Sequence, residues 1–144
     1  MDKEQQKFLA LRLKESLAEQ PKLGKLRDKL LSFGGVEIVA CYEEDVDKLL
    51  ARGKEFSVID LEVMEGKPCS CHFNSARLWQ KNKRLAKIVT GWKLNDKDEL
   101  WRQHTWCVYK KEKSIVETTV VGSRYFGFAL TSKEADKFYF NNAM

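Results

Sequence analysis

Between residues 84 and 121 the chain carries three apolar, β-branched-rich runs, RLAKIVTGWKL (84 to 94), LWRQHTWCVYK (100 to 110) and SIVETTVV (114 to 121). Only the polar stretches NDKDE and KKEK part them. Strands joined by so few residues must run antiparallel, because a parallel return needs a crossover of about a dozen residues or more. A three-stranded meander is therefore expected here, and YFGFALT (125 to 131) is placed to add a strand.

The preceding half reads as helices and short mixed elements. Residues 3 to 19 set Phe8, Leu9, Leu13 and Leu17 near helical spacing, and Pro21 with Gly24 interrupts before a second helical piece ending near Leu31. Gly34 and Gly35 break that pattern ahead of VEIVACY (36 to 42), read as a strand. EEDVDKLLARG (43 to 53) reads as a short helix with acids at its start and Gly53 past its end, and EFSVIDLEV (55 to 63) as a second strand. The loop MEGKPCS leads into a helix from residue 71 to about 82, with Ser70 as its cap. Thr131 and Glu134 have capping-box spacing for a last helix in SKEADKFYFNN. The order predicts one α+β domain over residues 1–144: an N-terminal helical segment, 1–32, and a core, 36–144, in which a central helix starting at Cys71 packs on an antiparallel sheet.

With 144 residues and 43% apolar content the chain can bury a core without staples, and four cysteines are few for a disulfide framework. MDKEQQKFLALRLKESLAEQ contains no apolar run of signal-peptide or membrane-span length, so a cytoplasmic, reducing setting with no membrane association is expected. The net charge of +5 is spread among carboxylates as on a solvated surface; the densest basic stretch, Arg77 to Lys87, includes Trp79 as a ring for stacking on nucleic acid.

GKPCSCHFNSARLW (66 to 79) raises the chemical question. At the first position of a helix, Cys71 would meet unsatisfied N–H groups and the positive end of the dipole, which favour a thiolate. A nucleophile needs a base. His72 follows immediately and points about 100° away around the helix, which makes it a poor partner, so His104 is the candidate. His104 in turn needs a group to fix its ring. The midpoint between residues 104 and 117 falls inside KKEK, so a hairpin turning there sets Glu117 opposite His104 on the same face. A one-residue slip of the turn moves Glu117 two places along and keeps its face. Glu117 is also the one ionised side chain of IVETTVV, where an unpaired charge is costly.

Cys71 in SCHFNSARLW, His104 in RQHTW and Glu117 in IVETT, in that order, resemble the papain-like and transglutaminase-like thiol enzymes over residues 69 to 121. The resemblance implies a cysteine hydrolase or acyltransferase acting on the amide or ester of a protein, peptide or small molecule, without a cofactor. It gives Cys71 as nucleophile, His104 as base then acid, and Glu117 as orienter. Glu117 departs from the Asp or Asn usual in these families, and no upstream Gln supplies an oxyanion donor. CHFN also resembles the Cys-x-x-Asn of protein N-terminal glutamine amidohydrolases; Asn74 lies one turn below Cys71 and, with Trp106, is read as a supporting or substrate-binding residue.

Two other readings compete. Cys69, Cys71, His72, His104 and Cys107 include enough ligands for structural zinc, but His104 and Cys107 are an odd number apart on a strand and point to opposite faces, so no metal ligands are assigned. Alternatively the cysteines are inert and Trp92, Trp101, Trp106, Tyr125 and Phe126 form an aromatic sheet face for RNA or a protein partner.

Overall fold

The computed structural model describes residues 1–144 as an α+β fold of five helices and a mostly antiparallel sheet. Helices α1 (Lys3–Glu19) and α2 (Leu23–Phe33) lead into β1 (Glu37–Ile38), α3 (Val46–Arg52), β2 (Lys54–Phe56) and β3 (Glu62–Val63). Then come α4 (Cys71–Lys81), the strands β4 (Ala86–Leu94), β5 (Leu100–Tyr109), β6 (Ile115–Glu117) and β7 (Arg124–Ala129), and α5 (Ser132–Ala143). The sheet order is β2-β7-β4-β5-β6-β3, with β1 beside β5. The central meander β4-β5-β6 is antiparallel, as its short connections require. None of the helices is long and apolar enough to cross a membrane.

Strand alternation divides the aromatic and aliphatic side chains between two cores. Ile88, Trp92, Trp101, Cys107, Val116, Phe126 and Phe128 face the helices, where Leu23, Leu26 and Leu30 of α2, Val46 and Leu49 of α3, and Trp79 of α4 join them. Their neighbours Val89, Trp106, Val108, Ile115 and Tyr125 point the other way and pack with Phe56. The aromatic-face reading is corrected here: Trp92, Trp101, Trp106, Tyr125 and Phe126 are all buried, and so is Trp79, so none of these rings is open to a nucleic-acid base. Burial of the apolar ring outweighs what exposed stacking could offer an isolated chain.

Two expected strands are shorter than their sequences suggest. Of residues 36 to 42 only β1 joins the sheet, parallel to β5; beyond the bond from Val39 N–H to the Trp101 carbonyl the chain departs, and Gln103 Nε2 takes the Tyr42 carbonyl at 3.0 Å. Residues 55 to 63 split into β2 and β3, which lie on opposite edges of the sheet. Between them Leu61 N–H closes a turn on the Val58 carbonyl, Asp60 is left-handed, and Val58 and Ile59 are exposed, so this apolar run has no face to bury.

The close approach of β4 and β7 depends on glycine, because Gly91 stands opposite Gly127 and a methyl group at Gly91 would meet the Phe126 carbonyl oxygen and the Gly127 Cα. Both obstacles are backbone and cannot rotate away. Gly91→Ala is expected to lower stability by about 1–3 kcal/mol, read from its urea midpoint; an unchanged midpoint would contradict this packing.

Candidate active site

Glu117 ends β6 with no exposure to solvent, and its carboxylate is surrounded by donors. His104 Nε2 lies 2.8 and 2.9 Å from its two oxygens, Tyr125 Oη donates at 2.6 Å, and the Thr118 and Thr119 N–H groups donate at 3.1 Å each. Burial opposes ionisation, yet the bonds from His104 and Tyr125 and the positive charge of Lys93 hold this carboxyl below its ordinary range. Tyr125 is pushed up by burial and by the neighbouring carboxylate, so it remains a donor. The register of β5 and β6 pairs Cys107 with Val116. It therefore sets Glu117 across from Trp106, two places from the position opposite His104 and on the same face. Long side chains cross that diagonal readily.

His104 is itself 5% exposed and sits against apolar rings. Trp106 stacks on it with ring centroids 6.1 Å apart, and Tyr125 tilts against it at 6.3 Å. Trp106 is wholly buried, so it walls the imidazole and offers substrate no surface. Burial disfavours an imidazolium here, but hydrogen bonding to Cys71 and Glu117 prevails and raises the His104 pKa.

The segment before α4 is tied to the end of β6. Met64 N–H donates to the Glu117 carbonyl and Gly66 N–H to the Thr118 carbonyl, both at 2.9 Å. Asn74 then clamps Lys67 from both sides, its Oδ1 accepting from Lys67 N–H at 3.0 Å and its Nδ2 donating to the Lys67 carbonyl at 2.8 Å. A side chain at Gly66 would collide with Asn74, which explains glycine there. Asn74 thus positions the loop entering the cysteine helix.

Ser70 occupies the N-cap position, but its hydroxyl donates to the Pro68 carbonyl at 3.1 Å and does not cap the helix, contrary to the sequence expectation. The first-turn N–H groups remain free of a side-chain cap beside Cys71. His72 also corrects the expectation: its Nδ1 lies 3.4 Å from Cys71 Sγ. Residues in the first turn lack a preceding turn that would restrict their rotamers, and Nδ1 sits close enough to the backbone to swing back. Burial alone would raise the Cys71 pKa, but hydrogen bonds with His104 and then His72, and the charge of both rings, bring it down to about 5. The other thiols contrast: burial raises Cys41, and it pushes Cys107, whose Sγ donates to the Ser75 carbonyl at 3.4 Å, up to about 12. No three His, Cys, Asp or Glu side chains are placed to share a metal ion.

A cavity of about 210 Å³ opens beside the two histidines. Glu43, Glu44, Asp45, Gln103 and Gly91 line it with them, and Phe138 of α5, whose ring lies 5.5 Å from that of His72, closes one side. Sequence reasoning missed Glu43, Gln103 and Tyr125 as parts of this region. The acids of EEDV resemble an ordinary helix start, and only the fold brings Trp92 Nε1 onto the Glu43 carboxylate at 2.8 Å. Comparison with protein-family models, with curated proteins and with solved structures gives no match.

The His104–Glu117 contact has a defined pH signature. The lowered Glu117 pKa contributes stability above about pH 4.3 that is lost in acid, and the raised His104 pKa contributes stability below about pH 6.5 that is lost as the pH rises. Glu117→Gln is expected to cost about 1–3 kcal/mol, with the largest difference from wild type between those limits. The His104 ring should titrate at lower pH in the variant by NMR. An unmoved His104 titration would contradict the contact.

Proposed function

We propose that the protein is a cysteine-dependent hydrolase or acyltransferase of papain-like or transglutaminase-like type, acting on an amide or ester. The observation that carries this reading is the Glu117 carboxylate holding His104 by Nε2, with Cys71, its thiol pKa brought down by the His104 and His72 imidazoles, at the uncapped start of α4. Glu117 occupies Nε2, which leaves Nδ1 of His104 as the nitrogen to exchange a proton with the thiol. All four cysteines are free, as a thiol chemistry requires.

In the proposed reaction the Cys71 thiolate attacks the carbonyl carbon and forms a carbon–sulfur bond, its electrons passing to the carbonyl oxygen. As the carbon–nitrogen or carbon–oxygen bond breaks, the His104 imidazolium gives its proton to the departing amine or alcohol. Water, or an acceptor amine or alcohol, then attacks the thioester while neutral His104 takes its proton, and the thiolate is released. Glu117 keeps the ring oriented and stabilises its positive form, and Trp106 and Tyr125 hold the pair away from water. The second imidazole, His72, adds positive charge at the thiolate.

Iodoacetamide tests the activated thiol without a known substrate. Cys71 is expected to alkylate at neutral pH far faster than Cys41 or Cys107, with a rate that rises through about pH 5 and has levelled by pH 7. His104→Ala should return the rise toward the ordinary thiol range near about 8.5. A wild-type rise already in that ordinary range would reject the proposal.

A further inference from the structure

Apart from the two imidazoles, the ionisable side chains lining the cavity beside His72 and His104 are all acids. Glu43, Glu44 and Asp45 supply three carboxylates to its lining, which includes no lysine or arginine. None of the three enters an ion pair; the nearby cations Lys48 and Arg52 are held by Glu134.

Glu43 is more than a surface acid. It is 5% exposed, and its carboxylate is fixed by Trp92 Nε1 at 2.8 Å and by Asp45 N–H at 3.0 Å. Gln20, at the end of α1, grips its backbone from both sides, Nε2 donating to the Glu43 carbonyl at 2.7 Å and Oε1 accepting from its N–H at 3.0 Å. Four hydrogen-bonding atoms thus hold this buried residue, and the two that reach its carboxylate are neutral donors, with no cation among them. Such a charge is costly unless something compensates it. The opposite wall has His104, also nine-tenths buried, whose Nε2 is spent on Glu117 while the ring borders the same space. Thr90 and Gly91 of β4 complete the floor of this space.

We infer that the cavity receives a primary ammonium group carried by the acyl portion of the substrate, with Glu43 as its principal counter-charge and Glu44 and Asp45 at its side. This rests on the reading of Cys71 as the nucleophile. The substrate class is then an amide or ester whose acyl part bears an amine close to the reacting carbonyl. The volume suits a short aminoalkyl group better than a large ring.

An imidazolium and the carboxylate wall make opposite demands on an incoming charge, so charged thiol reagents separate them. The probes are 2-aminoethyl, methyl and 2-sulfonatoethyl methanethiosulfonate, applied to the full chain at pH 8 and read at Cys71 and at the exposed Cys69 by fragment mass spectrometry. The cation-to-anion rate ratio at Cys71 is expected to exceed that at Cys69 about tenfold, to fall in Glu43→Gln, and to shrink with added salt. Glu44→Gln, an exposed side chain without hydrogen bonds, should give a smaller fall and serves if Glu43→Gln does not fold. A ratio at Cys71 equal to or below that at Cys69 would overturn the inference. The neutral reagent reports separately on the nucleophile: slow methylthiolation of Cys71 counts against the thiol-enzyme reading, whereas the charge ratio still judges the cavity.

Discussion

A carboxylate sealed from water imposes the arrangement of this protein's centre. Glu117 could not remain ionised at zero exposure without its donors, and those donors come from three separate parts of the chain: His104 on β5, Tyr125 on β7, and the backbone of Thr118 and Thr119. Meeting that demand stops β6 as well. The Thr118 and Thr119 N–H groups turn back to the Glu117 side chain and so are spent for any ladder with β5. β5 is therefore paired by β6 only at Cys107 and Val108, and by β1 only at Leu100 and Trp101. His104 lies in the interval left open on that edge, while its other edge pairs with Gly91 of β4.

That interval connects fold to chemistry. The loop entering α4 is bonded to Glu117 and Thr118 and clamped by Asn74, so the elements bearing the acid and the cysteine are fixed to each other. On the cavity's side, Gln20 links the long N-terminal helix to Glu43. In the proposed enzyme the helix that contributes no buried residue to the core would still set the wall of the substrate cavity.

Much of this was readable because it is local. Alternation with short polar turns defined β4 and β5, and the Thr131–Glu134 spacing gave a capping box with both of its bonds formed. Strand parity put His104 and Glu117 on one face. The two-residue offset was not readable, since KKEK does not specify its turn; Lys113 adopts a left-handed conformation and Ser114 closes on Tyr109. The rotation per residue of a helix wrongly separated Cys71 from His72, because it describes Cβ directions and ignores how far an imidazole can swing at a helix start. Glu43 stayed hidden for another reason: its burial exists only through Gln20 and Trp92, far away in sequence.

In the proposed reaction Cys71 carries an acyl group between two nucleophilic displacements. Intact-protein and peptide mass spectrometry after brief exposure to an activated aminoacyl ester measures it directly. One acyl group is expected, on Cys71, that hydroxylamine removes, with none on Cys71 in His104→Ala over the same exposure. Acylation confined to lysines or Cys69, or unchanged on Cys71 when His104 is replaced, would contradict it.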